Sequence, residues 1–241
     1  MSDTEILIKG EIHTSQGDLD EERELLETGV DHLILEGSEQ KNWQFKWGQL
    51  WFGWVLLIFE YLFVRHLYVD KTIITDLAEI QDAKLHPTRK SDLSILDNSH
   101  MLVKIVSAIL FFALFAVALI VGVIGNVLSG SLLLLVSSLF PLLLIRIHES
   151  RRATVGRDIQ IAEMIEEVAQ GDGRIIAIVG DAHADRIAEA LSDDFEVELK
   201  PPVYGRLSRP HLREVIYPVI VSFSVLYVVY SGLLATVVFL L

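Results

Sequence analysis

From Met101 to Ile145 the chain is apolar with Lys104 as its only charge, and the run is broken once, by Gly125-Asn126. Each half, Met101–Gly125 and Val127–Ile145, is about the ~20 residues an α-helix needs to cross the hydrocarbon of a bilayer. The stretch therefore predicts a transmembrane hairpin over 101–147. A third run, Val215–Leu241, is interrupted only by Ser, Thr, Gly and a Pro and predicts a C-terminal transmembrane anchor over 212–241. Polar Ser2–Glu5, followed by the short apolar run Ile6–Ile8, predicts no signal peptide.

Gln49–Leu67 is also long and apolar, but it carries Glu60 near its middle, and Trp43, Trp47, Trp51 and Trp54 fall at helical spacing on one face. We read 43–68 as an interfacial helix that does not cross. Parity supports this: if the stretches around His13 and His183 share a sheet, the chain between them crosses an even number of times, and the hairpin supplies two.

What lies outside these runs alternates strand and helix signals. Glu5–Lys9, Asp31–Leu35, Lys71–Thr75, Arg174–Val179 and Phe195–Leu199 read as strands; Asp18–Leu26, Thr154–Ala169 and Ala184–Leu191 read as helices. Such alternation predicts an α/β fold with a mainly parallel sheet flanked by helices. Here residues 1–100 form its first part and 148–211 its second, interrupted by the hairpin and followed by the C-terminal helix. The net charge of −13 argues against a nucleic-acid partner, because phosphate contacts need clustered Lys and Arg. That acidity suits high salt or a solvated surface equally. With no cysteine, disulfides and thiolate-held metals are excluded.

Open parallel sheets bind ligands at the carboxyl ends of their strands, and two strands end alike: Gly10-Glu11-Ile12-His13 and Gly180-Asp181-Ala182-His183. With 15 Gly and 8 His in 241 residues, chance gives roughly half a Gly-x-x-His. A third copy, Gly29-Val30-Asp31-His32, precedes its strand, so His32 falls at the wrong end and reads as a surface residue. Leu33-Ile34-Leu35-Glu36-Gly37 ends the second strand in a carboxylate. Two neutral imidazoles and a carboxylate suit a divalent metal ion with positions left open, so His13, Glu36 and His183 are the candidate metal ligands.

Arg157 shares a helical stripe with Ile161, Ile165 and Val168 and should face inward from the first turn of its helix. It would pair there with Asp or Glu, or bind a substrate carboxylate or a developing oxyanion. Asp158 suits the helix N-terminal dipole and needs no further role. Glu11 and Asp181 each stand two residues before a candidate ligand, on its face if the backbone is extended. Each is a candidate to orient that ligand or to act as general base.

This set resembles the TraB/Tiki family, membrane-anchored proteins of the broader erythromycin-esterase-like fold. The resemblance rests on GEIH at 10–13, LILEG at 33–37, GRDIQIAEMI at 156–165 and GDAH at 180–183, over about residues 5–40 and 154–200. Many relatives carry an Asp-Arg pair after strand three; this chain has Asp76-Leu77. The resemblance implies divalent-metal-dependent hydrolysis, proteolytic in the Tiki branch and linked to shutting down a peptide pheromone in the bacterial TraB branch. Mn2+ or Co2+ is the metal it favours, with Zn2+ also compatible. The expectation is a membrane-integrated metallopeptidase whose partners are the lipid bilayer and a peptide substrate. The rival is a membrane regulatory protein that sequesters a peptide or apolar ligand without turnover. Lys104, Arg146, Arg151, Arg152, Arg206, Arg209 and Arg213 all flank the apolar runs on the domain side, which puts the domain in the cytoplasm and the chain in the cell membrane as a multi-pass protein.

Overall fold

The computed structural model describes residues 4–38, 50–60, 68–89 and 99–240. Five strands, β1 (Glu5–Glu11), β2 (His32–Ser38), β3 (Lys84–Arg89), β4 (Arg174–Gly180) and β5 (Val197–Lys200), make one parallel sheet in the order β3-β2-β4-β1-β5. The helices are α1 (Gln16–Glu27), α2 (Leu50–Phe59), α3 (Thr72–Ile80), α4 (Met101–Val123), α5 (Val127–Ala169), α6 (Asp181–Ala190) and α7 (Arg209–Leu240). The chain divides into two compact units, one of Met1–Lys41, Tyr68–Asp92 and Ala153–Val215, the other of Asn42–Leu67, Leu93–Arg152 and Ile216–Leu241.

In the first unit the period-2 alternation of the strands splits the apolar residues between two faces. Leu7, Leu33, Ile176 and Ile178 meet Leu19, Leu25 and Leu26 of α1 and Ile74 and Ala78 of α3. Ile6, Ile8, Ile34, Ile175, Ala177 and Val179 meet Ile161, Ala162, Ile165 and Ala169 of α5 and Ala184 and Ile187 of α6. Burial on both faces is why β4 reads as an unbroken apolar run.

Three expectations change. Lys71–Thr75 is not a strand: Thr72–Ile80 is helical, and Ile74 and Ala78, four apart, are its buried stripe. The β-branched run gives strand character locally, but packing on the sheet decides the outcome. The third strand is Lys84–Arg89, hidden in the sequence by Pro87 and its charges; β3 is an edge strand, where a missing ladder donor is tolerated. Finally, Arg157 and Asp158 do not begin a helix, because α5 runs unbroken from Val127 to Ala169.

Three helical segments, Met101–Val123 and Val127–Ile145 in the second unit and Arg209–Phe239, which enters it at Ile216, are long and apolar enough to cross a membrane. The first two are joined through Gly125, whose φ of 99° suits glycine. Leu50–Phe59 is ten residues long, short of a crossing by itself; Trp43, Trp47 and 61–67 lie outside the described residues. Phe52 and Val55 pack with Phe111, Leu142 and Ile145, while Trp54 is 64% exposed. Tyr230 sits against Gly122 and Gly130, where any Cβ would collide with its ring, and donates its hydroxyl to the Ala118 carbonyl.

One buried cation ties α1 to the sheet. Lys9, fully buried in β1, donates to Asp18 Oδ1 at 3.0 Å and to the Pro201 carbonyl at 2.7 Å, and lies 2.7 Å from Glu21. Asp18 also accepts the Ile12 N–H at 2.9 Å and the Val203 N–H at 2.7 Å, holding both the turn after β1 and the segment after β5. Removing one partner of a buried pair strands the other. Lys9→Met should therefore lower stability by about 3 kcal/mol, and adding Asp18→Asn should restore part of it, as read from denaturation midpoints of the detergent-solubilised protein.

Candidate metal centre

The central strands β1 and β4 pair in register, with Gly10 opposite Val179 and Glu11 opposite Gly180. His13 follows β1 in a tight turn closed by the Ser15 N–H on the Ile12 carbonyl at 2.7 Å. Ser15 caps α1, accepting the Asp18 N–H at 3.2 Å, and the His13 carbonyl takes the Val69 N–H at 3.1 Å. The ring stacks near Tyr68, with centroids 6.1 Å apart. On the other side of the turn, Glu214 accepts the Gln16 N–H at 3.0 Å, and His211 Nε2 is 3.4 Å from the Thr14 hydroxyl. The turn's backbone is thus held from α1, α3's approach and α7's first turns.

His183 lies in the first turn of α6, which starts directly at the end of β4. Both histidines are gripped at Nδ1 by a buried carboxylate: His13 donates to Glu11 Oε1 at 2.7 Å and His183 to Asp158 Oδ1 at 2.6 Å. Because an ionised carboxylate only accepts, each Nδ1 carries the proton, and in the neutral ring Nε2 holds the free lone pair. A Cβ built on Gly180 would stand 3.1 Å from Glu36 Oε2, 3.5 Å from His13 Nε2 and 3.6 Å from His183 Cδ2. All three candidate ligands therefore meet over one bare Cα.

Glu36 is already engaged. Its Oε1 accepts from Arg157 Nη2 at 2.6 Å and its Oε2 from the Gly180 N–H at 2.6 Å. Burial raises its pKa, but the Arg157 charge, the Gly180 N–H and the two imidazoles outweigh burial and hold the carboxyl below its ordinary value. Among the described residues no group of three or more His, Asp or Glu is arranged to hold a metal ion as it stands. The donor chemistry nevertheless fits one: two oriented Nε2 nitrogens, and a carboxylate with two of its roughly four acceptor sites still open.

Arg157 faces inward as expected, and its partner is Glu36. Asp158, assigned no role from sequence, is the residue that orients His183; it also accepts from Arg186 Nε at 2.6 Å. Its signal is present in the spacing 158, 162, 165, 169, which matches the buried residues Ala162, Ile165 and Ala169. Asp181 stands in helical rather than extended backbone, so the two-residue spacing does not put it on the His183 face, and its partner is Arg206 at 3.3 Å. His32 lies at the opposite end of β2, half-buried, with Nδ1 3.1 Å from His86 Nε2.

Behind Glu11 lies a second layer that the sequence did not disclose. Lys71 forms an ion pair with Glu11 and is 3.5 Å from Glu22, a fully buried carboxyl that shares a hydrogen bond with Glu11. Burial works to raise the Glu11 pKa, but the His13 hydrogen bond and the Lys71 charge hold it well below the usual carboxylate range. Burial and the Glu11 charge push Glu22 up to about 9.

No family model matches the chain, and neither a curated protein nor a solved structure matches it.

The Glu22 proton has a measurable consequence. The native state keeps it where the unfolded chain, with the ordinary value of 4.5, has released it, so this group's contribution to stability falls as pH rises from 4.5 to about 9. Glu22→Gln supplies a permanently neutral group of similar shape. The melting temperature of wild-type protein minus that of Glu22→Gln should become steadily more negative between pH 6 and pH 9; a difference flat across that range would contradict a protonated Glu22.

Proposed function

We propose that the chain is a membrane-integrated, divalent-metal-dependent hydrolase acting on a peptide or membrane-associated substrate, of the TraB/Tiki type. The observation that carries this reading is the pair of histidines from two adjacent strand ends, each with Nδ1 fixed by a buried carboxylate and both meeting Glu36 over Gly180. Rings oriented this way are what a metal-binding histidine needs, since the hydrogen bond fixes the tautomer and raises the basicity of the other nitrogen. His13 and His183 would hold the ion through Nε2, with Glu36 sharing its carboxylate between the ion and Arg157. When bound, the ion supplies Lewis acidity that polarises a carbonyl and acidifies water.

The chain's own groups divide the remaining work. Glu11 and Asp158 orient the ligands and, at 2% and 4% exposure, are closed to substrate. Arg157 offers a guanidinium beside the site for a substrate carboxylate or a developing oxyanion. Asp181, expected as an alternative base, is off the His183 face and paired with Arg206, so the proposal gives it no part in the proton transfer.

The membrane arrangement belongs to the same proposal. β1 and β4 pair in one sheet, so an even number of crossings separates them; α4 and the start of α5 supply two, and α7 a third. The basic residues on the domain side put the sheet in the cytoplasm. In this cysteine-free chain, Ser129→Cys should react with an impermeant thiol reagent applied outside intact cells and Ser192→Cys should not; the opposite pattern inverts the topology.

Metal per protomer, measured beside hydrolysis of a peptide library, tests the chemistry. His13→Ala and His183→Ala should each lose nearly all bound metal and all activity, rather than half of each, while His32→Ala retains both. Glu36→Gln should weaken metal binding as loss of a ligand would, and Arg157→Ala, which frees Glu36 Oε1, should weaken it no more than about 10- to 100-fold while lowering turnover further. Wild-type metal content in both histidine variants, or no stoichiometric metal in the wild type, rejects the centre. The double engagement of Glu36 favours one other reading, a protein that binds a peptide without turning it over. Bound metal with no cleaved peptide under any divalent ion would select it.

A further inference from the structure

The edge strand β5 pairs with β1 on one side, and among the described residues no strand pairs with the other. Between β5 and α6 runs a groove of about 540 Å³. Its floor is apolar, formed by Leu191, Phe195, Val197 and Leu199, the last 40% exposed. Its rim is acidic: Asp185 and Glu189 stand four apart on α6, hence on one face, and Asp193 continues the line just beyond the helix. All three are exposed, and among the described residues none has an ion-pair partner.

We propose that this groove docks an extended, basic peptide segment. An open strand edge offers unpaired backbone donors and acceptors that an added strand can use, and pockets beside it then select alternate side chains. Successive side chains of an added strand point to opposite faces, so every second residue would face the groove, meeting both the apolar floor and the carboxylate rim; the matching segment carries apolar residues and Lys or Arg together at those positions. Charge on the rim selects the sign of the partner, and the floor supplies the contact area. α6 also carries His183 in its first turn, on a different side of the helix from Asp185 and Glu189. The proposal names a substrate class for the peptidase reading and in that respect rests on it; the docking itself needs no metal.

The test is fluorescence anisotropy with full-length protein in zwitterionic nanodiscs, in EDTA, and a short fluorescein-labelled peptide in which every second residue is Lys or Val in turn and Ser fills the positions between. Two twins accompany it, one with Glu in place of Lys and one methylated on alternate backbone nitrogens. The basic peptide should bind, and both twins should bind about tenfold more weakly or worse. Asp185→Lys, Glu189→Lys and Asp193→Lys together should weaken binding about tenfold, and so should Leu199→Ser. Glu24→Lys, Glu27→Lys and Asp172→Lys together change net charge equally at exposed sites elsewhere and should stay within about twofold of wild type. Equal losses in the two triple variants would mean general attraction to an acidic protein and overturn the proposal. Equal binding of either twin to the wild-type protein would overturn it too, and that comparison stands even if the groove variants misfold. Groove-dependent binding with no hydrolysis in added metal would sink the peptidase and leave the docking site standing.

Discussion

The parallel pairing of β1 with β4 is the constraint on which the rest depends. These strands are distant in sequence, and only their adjacency brings Glu11 opposite Gly180 and so His13 beside His183. β4 is apolar on both faces, so hydrophobicity alone does not say which face of it belongs to which helices. β1 is different, because Lys9 tolerates burial only where anions meet it. Asp18 and Glu21 lie on α1, so the face of β1 that carries Leu7, Lys9 and Glu11 must turn toward α1. A slip of one residue would bury the ammonium among the isoleucines of the other face. The polar pair thus orients the strand whose neighbour has no preference of its own.

The legible parts of the fold are those in which pattern and environment agree. The apolar runs at 101–145 and 215–241 meet a length criterion that few soluble segments meet, and the corresponding helices are present. The ends of β1, β2 and β4 are legible to within one or two residues, because their apolar runs stop at Gly10, Glu36 and Gly180 while the strands close at Glu11, Ser38 and Gly180. Lys71–Thr75 misleads because four β-branched residues and a lysine carry no helical period until Leu77 and Ala78 are added. Lys84–Arg89 escapes notice for the opposite reason: it has almost no strand character, and edge position permits that.

The candidate ligands His13, Glu36 and His183 are visible in the sequence, and most of the residues that position them are not. Glu11 stands out by proximity, but Asp158, Lys71 and Glu22 come from α5, the start of α3 and α1, and no spacing in one segment reveals that they converge. The layering has a physical logic. Each imidazole is fixed by a carboxylate, and the Glu11 carboxylate is kept ionised by Lys71 while Glu22 takes up a proton. One buried site can therefore hold two carboxyls and one ammonium without accumulating net charge.

Gly180 has a consequence for how such a chain would decay over evolutionary time. A methyl group at this position is compatible with strand geometry, since the constraint is crowding and not an unusual φ; it would meet Glu36, His13 and His183 at once. Drift from Gly to Ala would thus push the Glu36 carboxylate by a few tenths of an ångström and fill the space between the two imidazoles, while leaving the sheet, the helices and every histidine intact. In a lineage of such sequences, the histidines alone would not show whether this open space between them is kept. The residue to read first would be the one with no side chain.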